Sequence, residues 1–211
     1  MFNPSLVGNY NMAKEIAMLP GHHILAPAIE PLLASLKNLK NDNKAFWEHF
    51  NKAHTLLSLL AAPICIFTYF QANLIVNVLL GEQWHIAKDL LSLLSMLFFY
   101  WINLLLLESA LMAKGKVKLL FGFDLVSFIA TTASLLFGYL NDFSLLEIAE
   151  LRVLTGVALT ILESVLVLKV IHGSWLSYFG KILWPILLSG LVGTCLVQDL
   201  NQFANEFLFL L

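Results

Sequence analysis

Charged side chains are scarce in this chain. Asp, Glu, Lys and Arg together make up 12% of its 211 residues, where a soluble domain carries about 25%. Hydrophobic residues reach 59% and the mean hydropathy is +0.82, which leaves too little polar surface to cover a water-soluble core. An excess of positive charge is missing too. The formal net charge is -2, which argues against nucleic acid as a partner, because a phosphate backbone demands a basic surface. Cysteine is nearly absent. Cys65 and Cys195 both fall inside apolar runs and read as reduced packing residues, since a buried thiol behaves as a small hydrophobe. They offer no metal spacing, and no cofactor is implied. Arginine is reduced to one residue, Arg152. Low-complexity tracts and any polar stretch large enough for a soluble domain are lacking. The first fifteen residues include Asn3, Pro4, Asn9 and Asn11 without a continuous apolar stretch, so no cleavable signal peptide is expected.

What the chain has instead is long apolar runs. About 20 apolar residues cross roughly 30 Å of hydrocarbon, and six segments qualify: span A near 16–36, B near 54–80, C near 86–113, D near 117–140, E near 145–171 and F near 182–197. The tail 203–211 is apolar again but has nine residues, about 13 Å of helix, and reads as the start of a seventh span. The expected fold is all-α: a polytopic transmembrane helix bundle, one unit over 1–211. Span A is irregular, with Pro20, Gly21, Pro27 and Pro31 close together, each proline removing a backbone donor. Broken helices at membrane depth are tolerated where they pack on protein or line a watery cavity, so span A is expected to face the interior. Ser144 with Glu147 predicts a capping box before span E. Gly81 is expected to end span B, and Gly115 and Gly173 to mark turns. Trp47, Trp84, Tyr139, Trp175 and Trp184 fall near expected interfaces, where amphipathic rings are favoured.

Nine of the twelve basic residues lie in three clusters on alternate sides of the spans: Lys37, Lys40, Lys44 and Lys52; Lys114, Lys116 and Lys118; Lys169 and Lys181. The intervening loops carry Glu82, Asp89, Asp142, Glu147, Glu150 and Asp199 instead. Short cytoplasmic loops hold the excess of Lys and Arg. The pattern puts the segment from Met1 to Lys14 outside and the lysine-rich loops in the cytoplasm, with every later span alternating without conflict.

Several short segments resemble, in order, those of polysaccharide flippases of the multidrug/oligosaccharidyl-lipid/polysaccharide exporter superfamily. Val7-Gly8-Asn9-Tyr10 with Ala13 resembles a G-x-Y-x-x-A segment. Leu19-Pro20 and the run 28–36 resemble a proline-containing helix ending in a polar cytoplasmic loop, and Pro63 matches the proline of the next helix. Leu80-Gly81-Glu82-Gln83-Trp84 with Ala87 resembles G-x-x-W-x-x-A, and Ala113-Lys114-Gly115-Lys116 resembles an A-x-G-[RK] turn. Beyond Lys118 the likeness rests on hydropathy. The resemblance implies two bundles of six helices around a central cavity, alternating access, and a polyprenyl-diphosphate-linked oligosaccharide as cargo, for O-antigen or other surface polysaccharide in a bacterial inner membrane. It implies a transporter and not an enzyme. The matching segments belong to the second bundle, so the chain is expected to be a C-terminal part whose partners are the bilayer, the lipid-linked oligosaccharide and an N-terminal bundle. Two alternatives stay open: a multidrug or cation antiporter of the same superfamily, and a non-transporting membrane fragment.

Candidate chemistry follows the polar residues inside spans. Arg152 lies about two turns into span E with no acid three or four residues away. A guanidinium forks naturally onto phosphate, which fits a diphosphate; an interfacial arginine that snorkels is the competing reading. Glu30, Glu108, Asp124 and Glu163 each lie six or seven residues from a lysine of the cytoplasmic clusters, or about 9–10 Å along a helix. They therefore share one level, where charged groups mark ion pathways or serve as anchors. His22 and His23 sit in broken span A, and adjacent helix positions allow one of them to line a cavity. Tyr100 and Trp101, mid-span, can stack on sugars or simply pack. Cys65, Tyr69, Asn73 and Asn77 follow an i, i+4 ladder, which joins helices or lines a cavity.

Overall fold

A computed structural model describes the backbone of residues 4–208 and the side chains of residues 5–29 and 31–194. Its eight α-helices are α1 (Pro4–Pro20), α2 (Ala26–Asn38), α3 (Asn43–Phe70), α4 (Ala72–Leu79), α5 (His85–Ala113), α6 (Val117–Leu140), α7 (Leu145–Val170) and α8 (Trp175–Leu208). No strand occurs among the described residues. Five segments are long and apolar enough to cross a membrane: Asn43–Phe70, Glu82–Ala113, Val117–Leu140, Leu145–Val170 and Trp175–Thr194. The chain is an all-α, multi-pass membrane protein.

Spans C, D and E coincide with α5, α6 and α7 to within a residue or so. The capping box forms: Ser144 N–H donates to Glu147 Oε2 at 2.7 Å, and Glu147 N–H donates to Ser144 Oγ at 3.4 Å. Span A, expected near 16–36, is not among the five: its stretch is divided between α1, which starts at Pro4, and α2, with a π turn, Gly21–Leu25, between them. There Ala26 N–H reaches back to the Gly21 carbonyl, one residue further than in an α-helix. The wider turn absorbs the donor lost at Pro27, which opens α2.

Three further expectations needed correction. Span B begins earlier than 54, because Asp42 accepts from the Lys44 and Ala45 N–H groups and caps α3. Lys44, Glu48 and Lys52 dilute the hydropathy there, yet Phe46, Phe50, His54 and Leu57 bury one face. The same span breaks at Gln71, so α4 is a separate short helix, ended at Gly81 with φ 92°. Span F begins at Trp175 rather than 182, and its helix continues unbroken through the apolar tail to Leu208, with 209–211 outside the described residues. The side chain of Cys195 also lies outside them.

Helix α5 is the hub: it packs against α1, α2, α3, α4, α6 and α7. The three lysine-rich turns meet at one end. Lys114 Nζ donates to the Lys40 carbonyl and to Asn43 Oδ1, both at 2.8 Å, and stands 4.3 Å from the Phe46 ring centroid. Partial burial there pushes the Lys114 ammonium down, and Asp42 pushes it back up. Asn51 Nδ2 donates to Ser177 Oγ at 3.2 Å, and Gly173 packs so closely on Trp47 that a Cβ would lie 2.7 Å from its ring.

Candidate functional site

In the half of the bundle away from those turns, a cleft of about 310 Å³ opens between α1, α5 and α7, lined by Tyr10, Lys14, Glu15, His22, Tyr100, Trp101 and Arg152 with Met18 and Leu97. Local structure explains the gathering. Ala13 and Ala17, both buried, let α1 lie close on α5. At Gly21 an added Cβ would come within 2.9 Å of Trp101. The π turn then sets His22 edge-on to Trp101, ring centroids 5.0 Å apart at 79°. From α7, Arg152 Nη1 donates to Thr131 Oγ1 on α6 at 3.1 Å. Among the described residues no carboxylate forms an ion pair with Arg152 or Lys14, so both cations keep donors for an incoming anion. Two cations, one acid and three aromatic rings suit an anionic ligand bearing a sugar-like face. The volume stands at the small end of ligand sites.

Of the sequence candidates, the cleft brings together Arg152, His22, Tyr100 and Trp101. His23 is exposed and does not line it. Asn73 and Asn77 lie exposed on α4, cut off at Gln71 from Cys65 and Tyr69 on α3. The four therefore form no single stripe, and Cys65 is buried, donating to the Ser95 carbonyl at 3.3 Å. Tyr10 entered the sequence reading only as part of the G-x-Y-x-x-A segment, and Lys14 and Glu15 were not candidates; a basic and an acidic residue four and five places beyond Tyr10 were the available signal.

In the other half, Glu108 of α5, Asp124 of α6 and Glu163 of α7 lie within electrostatic range of one another. The side chain of Glu30 lies outside the described residues. Beside them sits a polar and aromatic clasp that sequence did not reveal. Asn103 Nδ2 donates to the Phe99 carbonyl at 2.7 Å, which turns Oδ1 toward His54. His54 Nε2–H therefore donates to it at 3.0 Å, and Nδ1 is left buried without a partner. The His54 ring stacks on Tyr178 at 4.3 Å. Ser164 Oγ gives its hydrogen to the Thr160 carbonyl at 2.7 Å, which can only accept. Tyr178 O–H is then the donor in its 3.2 Å contact with Ser164 Oγ. The clasp ties α3, α5, α7 and α8 at one level.

The comparisons with known proteins follow the same line. Residues 1–89 match a family described as polysaccharide biosynthesis protein. The teichuronic acid biosynthesis protein TuaB of Bacillus subtilis (strain 168) is 26% identical over 190 residues, which is 89% of this chain and 38% of that protein. The chain thus spans well under half the length of this curated relative. No solved structure matches the chain. With the polytopic all-α fold, these two matches make the chain similar to membrane proteins of polysaccharide biosynthesis.

Proposed function

We propose that the chain is one bundle of a transporter that moves a polyprenyl-diphosphate-linked oligosaccharide from the inner to the outer leaflet of a bacterial inner membrane, for surface polysaccharide or lipopolysaccharide. The lysine turns face the cytoplasm in this reading, and the segment up to Lys14 faces outward. The observation that carries it is the cleft, where Arg152 and Lys14 stand beside Tyr100 and Trp101 and, among the described residues, form no ion pair with a carboxylate. The cations would hold the diphosphate and the rings the first sugar, while the bundle rocks against an N-terminal one. No bond is made or broken, so the protein is not an enzyme in this scheme. Glu108, Asp124 and Glu163 supply coupling.

The test is export of surface polysaccharide in a strain lacking its own flippase, with this chain fused to a matching N-terminal bundle. Arg152→Ala should abolish export at unchanged protein level. Wild-type export in that variant would overturn the reading. The three acids favour a second reading, an antiporter for an organic cation. Under it, Arg152→Ala leaves drug efflux intact and polysaccharide is never exported.

A further inference from the structure

Among the described residues Glu163 is the one fully buried acid, and neither of its oxygens has a hydrogen-bond partner. Helix α7 packs against α5 and α6, and the charged groups that face Glu163 from them are Glu108 and Asp124, both acidic. From α8 the facing group is the Tyr178 phenol, whose hydrogen is committed to Ser164 Oγ. On its own helix the nearest cation, Lys169, is exposed at the lysine end, and Lys181 acts on His54 instead. An ionised carboxylate here would meet two neighbours of its own sign with neither donor nor cation to offset them, an arrangement that burial in an apolar medium makes strongly unfavourable. A metal ion is no remedy: among the described residues no three His, Cys, Asp or Glu side chains are placed to hold one. The counter-charge that fits is a proton. Exposure also grades along the three acids. Asp124 is exposed on α6, Glu108 half-buried on α5 and Glu163 enclosed.

We propose that Glu163 is a proton-binding site inside the bundle, loaded from the α6 surface by way of Asp124 and Glu108. A proton taken up at the Asp124 carboxylate passes to Glu108 and then forms the O–H bond at Glu163, which becomes a neutral acid while Asp124 and Glu108 return to carboxylates. As the seat of coupling, the site rests on the transporter reading above. As a proton site it does not, and its test needs no substrate.

The test is infrared difference spectroscopy on the full chain in lipid vesicles, following the C=O stretch of protonated carboxyl groups. Wild type should show one such band at neutral pH that Glu163→Gln removes while the helical amide band stays unchanged. Glu163→Asp, a second variant that keeps an acid at the site, should retain the band at an altered frequency. The band should be the same in sodium chloride and in choline chloride. Absence of the band from wild type at neutral pH, its survival in Glu163→Gln, or its displacement by sodium would each overturn the proposal.

Discussion

Replacing Glu163 with leucine should make the protein more stable. Glu163 is fully buried with two unpartnered oxygens, in the α5–α6–α7 seam beside apolar neighbours such as Val167. Measurements on proteins put the burial of a neutral polar group without a hydrogen bond at about 1–3 kcal/mol. Leucine has nearly the same volume and no polar atom to leave unpaired, so Glu163→Leu should gain about 1–3 kcal/mol against that reference. Glu163→Gln keeps both the shape and the unmet hydrogen-bonding capacity, and should be close to neutral. The assay is reversible unfolding of the full chain in mixed micelles, all three proteins under one condition. In a complete transporter carrying the segment, the same leucine variant should lose export. Stability gained with function lost is the mark of a residue kept for its chemistry. If Glu163→Leu were instead destabilised by 1 kcal/mol or so while Glu163→Gln stayed neutral, the acid would have a partner and the reasoning would fail.

Gly156 of α7 faces Tyr100, where an added Cβ would lie 2.6 Å from Cζ. Gly156→Ala should therefore cost about 1–3 kcal/mol by overpacking, and a double-mutant cycle with Tyr100→Ala should show that penalty largely removed. Asp42 caps α3 through two backbone N–H groups, and Asp42→Ala should cost about 1 kcal/mol in the same unfolding assay. Single cysteines at 44, 116 and 141, in a background lacking Cys65 and Cys195, test orientation. An impermeant thiol reagent on intact cells should label 141 only, and labelling of 116 without 141 would invert the topology.

Helices α5, α6 and α7 were legible because each is a mostly apolar stretch of more than twenty residues between polar turns, and Gly115 with Ser144 marks their ends. The N-terminal half of α3 was missed by hydropathy, since Lys44, Glu48 and Lys52 cover its outer face; the four-residue spacing of Phe46, Phe50 and His54 was the signal that carried it. Pro20, Gly21 and Pro27 announced an irregular first span, but not that it would resolve as a π turn with Gly21 close against Trp101. Counting residues from the lysines put Glu108, Asp124 and Glu163 at one level along their helices, and the three lie within electrostatic range of one another. Their directions around the helix axes depend on how α5, α6 and α7 pack, and no single helix records that. The cleft was harder still, because Lys14, Tyr100 and Arg152 are brought together only by the docking of α1 and α7 on α5. The His54–Tyr178 stack is equally non-local.

In the proposed function, the cleft between α1, α5 and α7 holds a diphosphate-linked sugar through Arg152 and Lys14. Equilibrium binding of a short-chain polyprenyl-diphosphate sugar to the complete purified transporter tests it most directly. A charge-assisted contact contributes about 1.5–3 kcal/mol, so Arg152→Ala should weaken binding roughly 10- to 100-fold. The Lys14→Ala variant should act in the same direction, and a polyprenol without phosphate should bind wild type and variants alike. Equal affinity of wild type and Arg152→Ala for the diphosphate ligand would contradict the account.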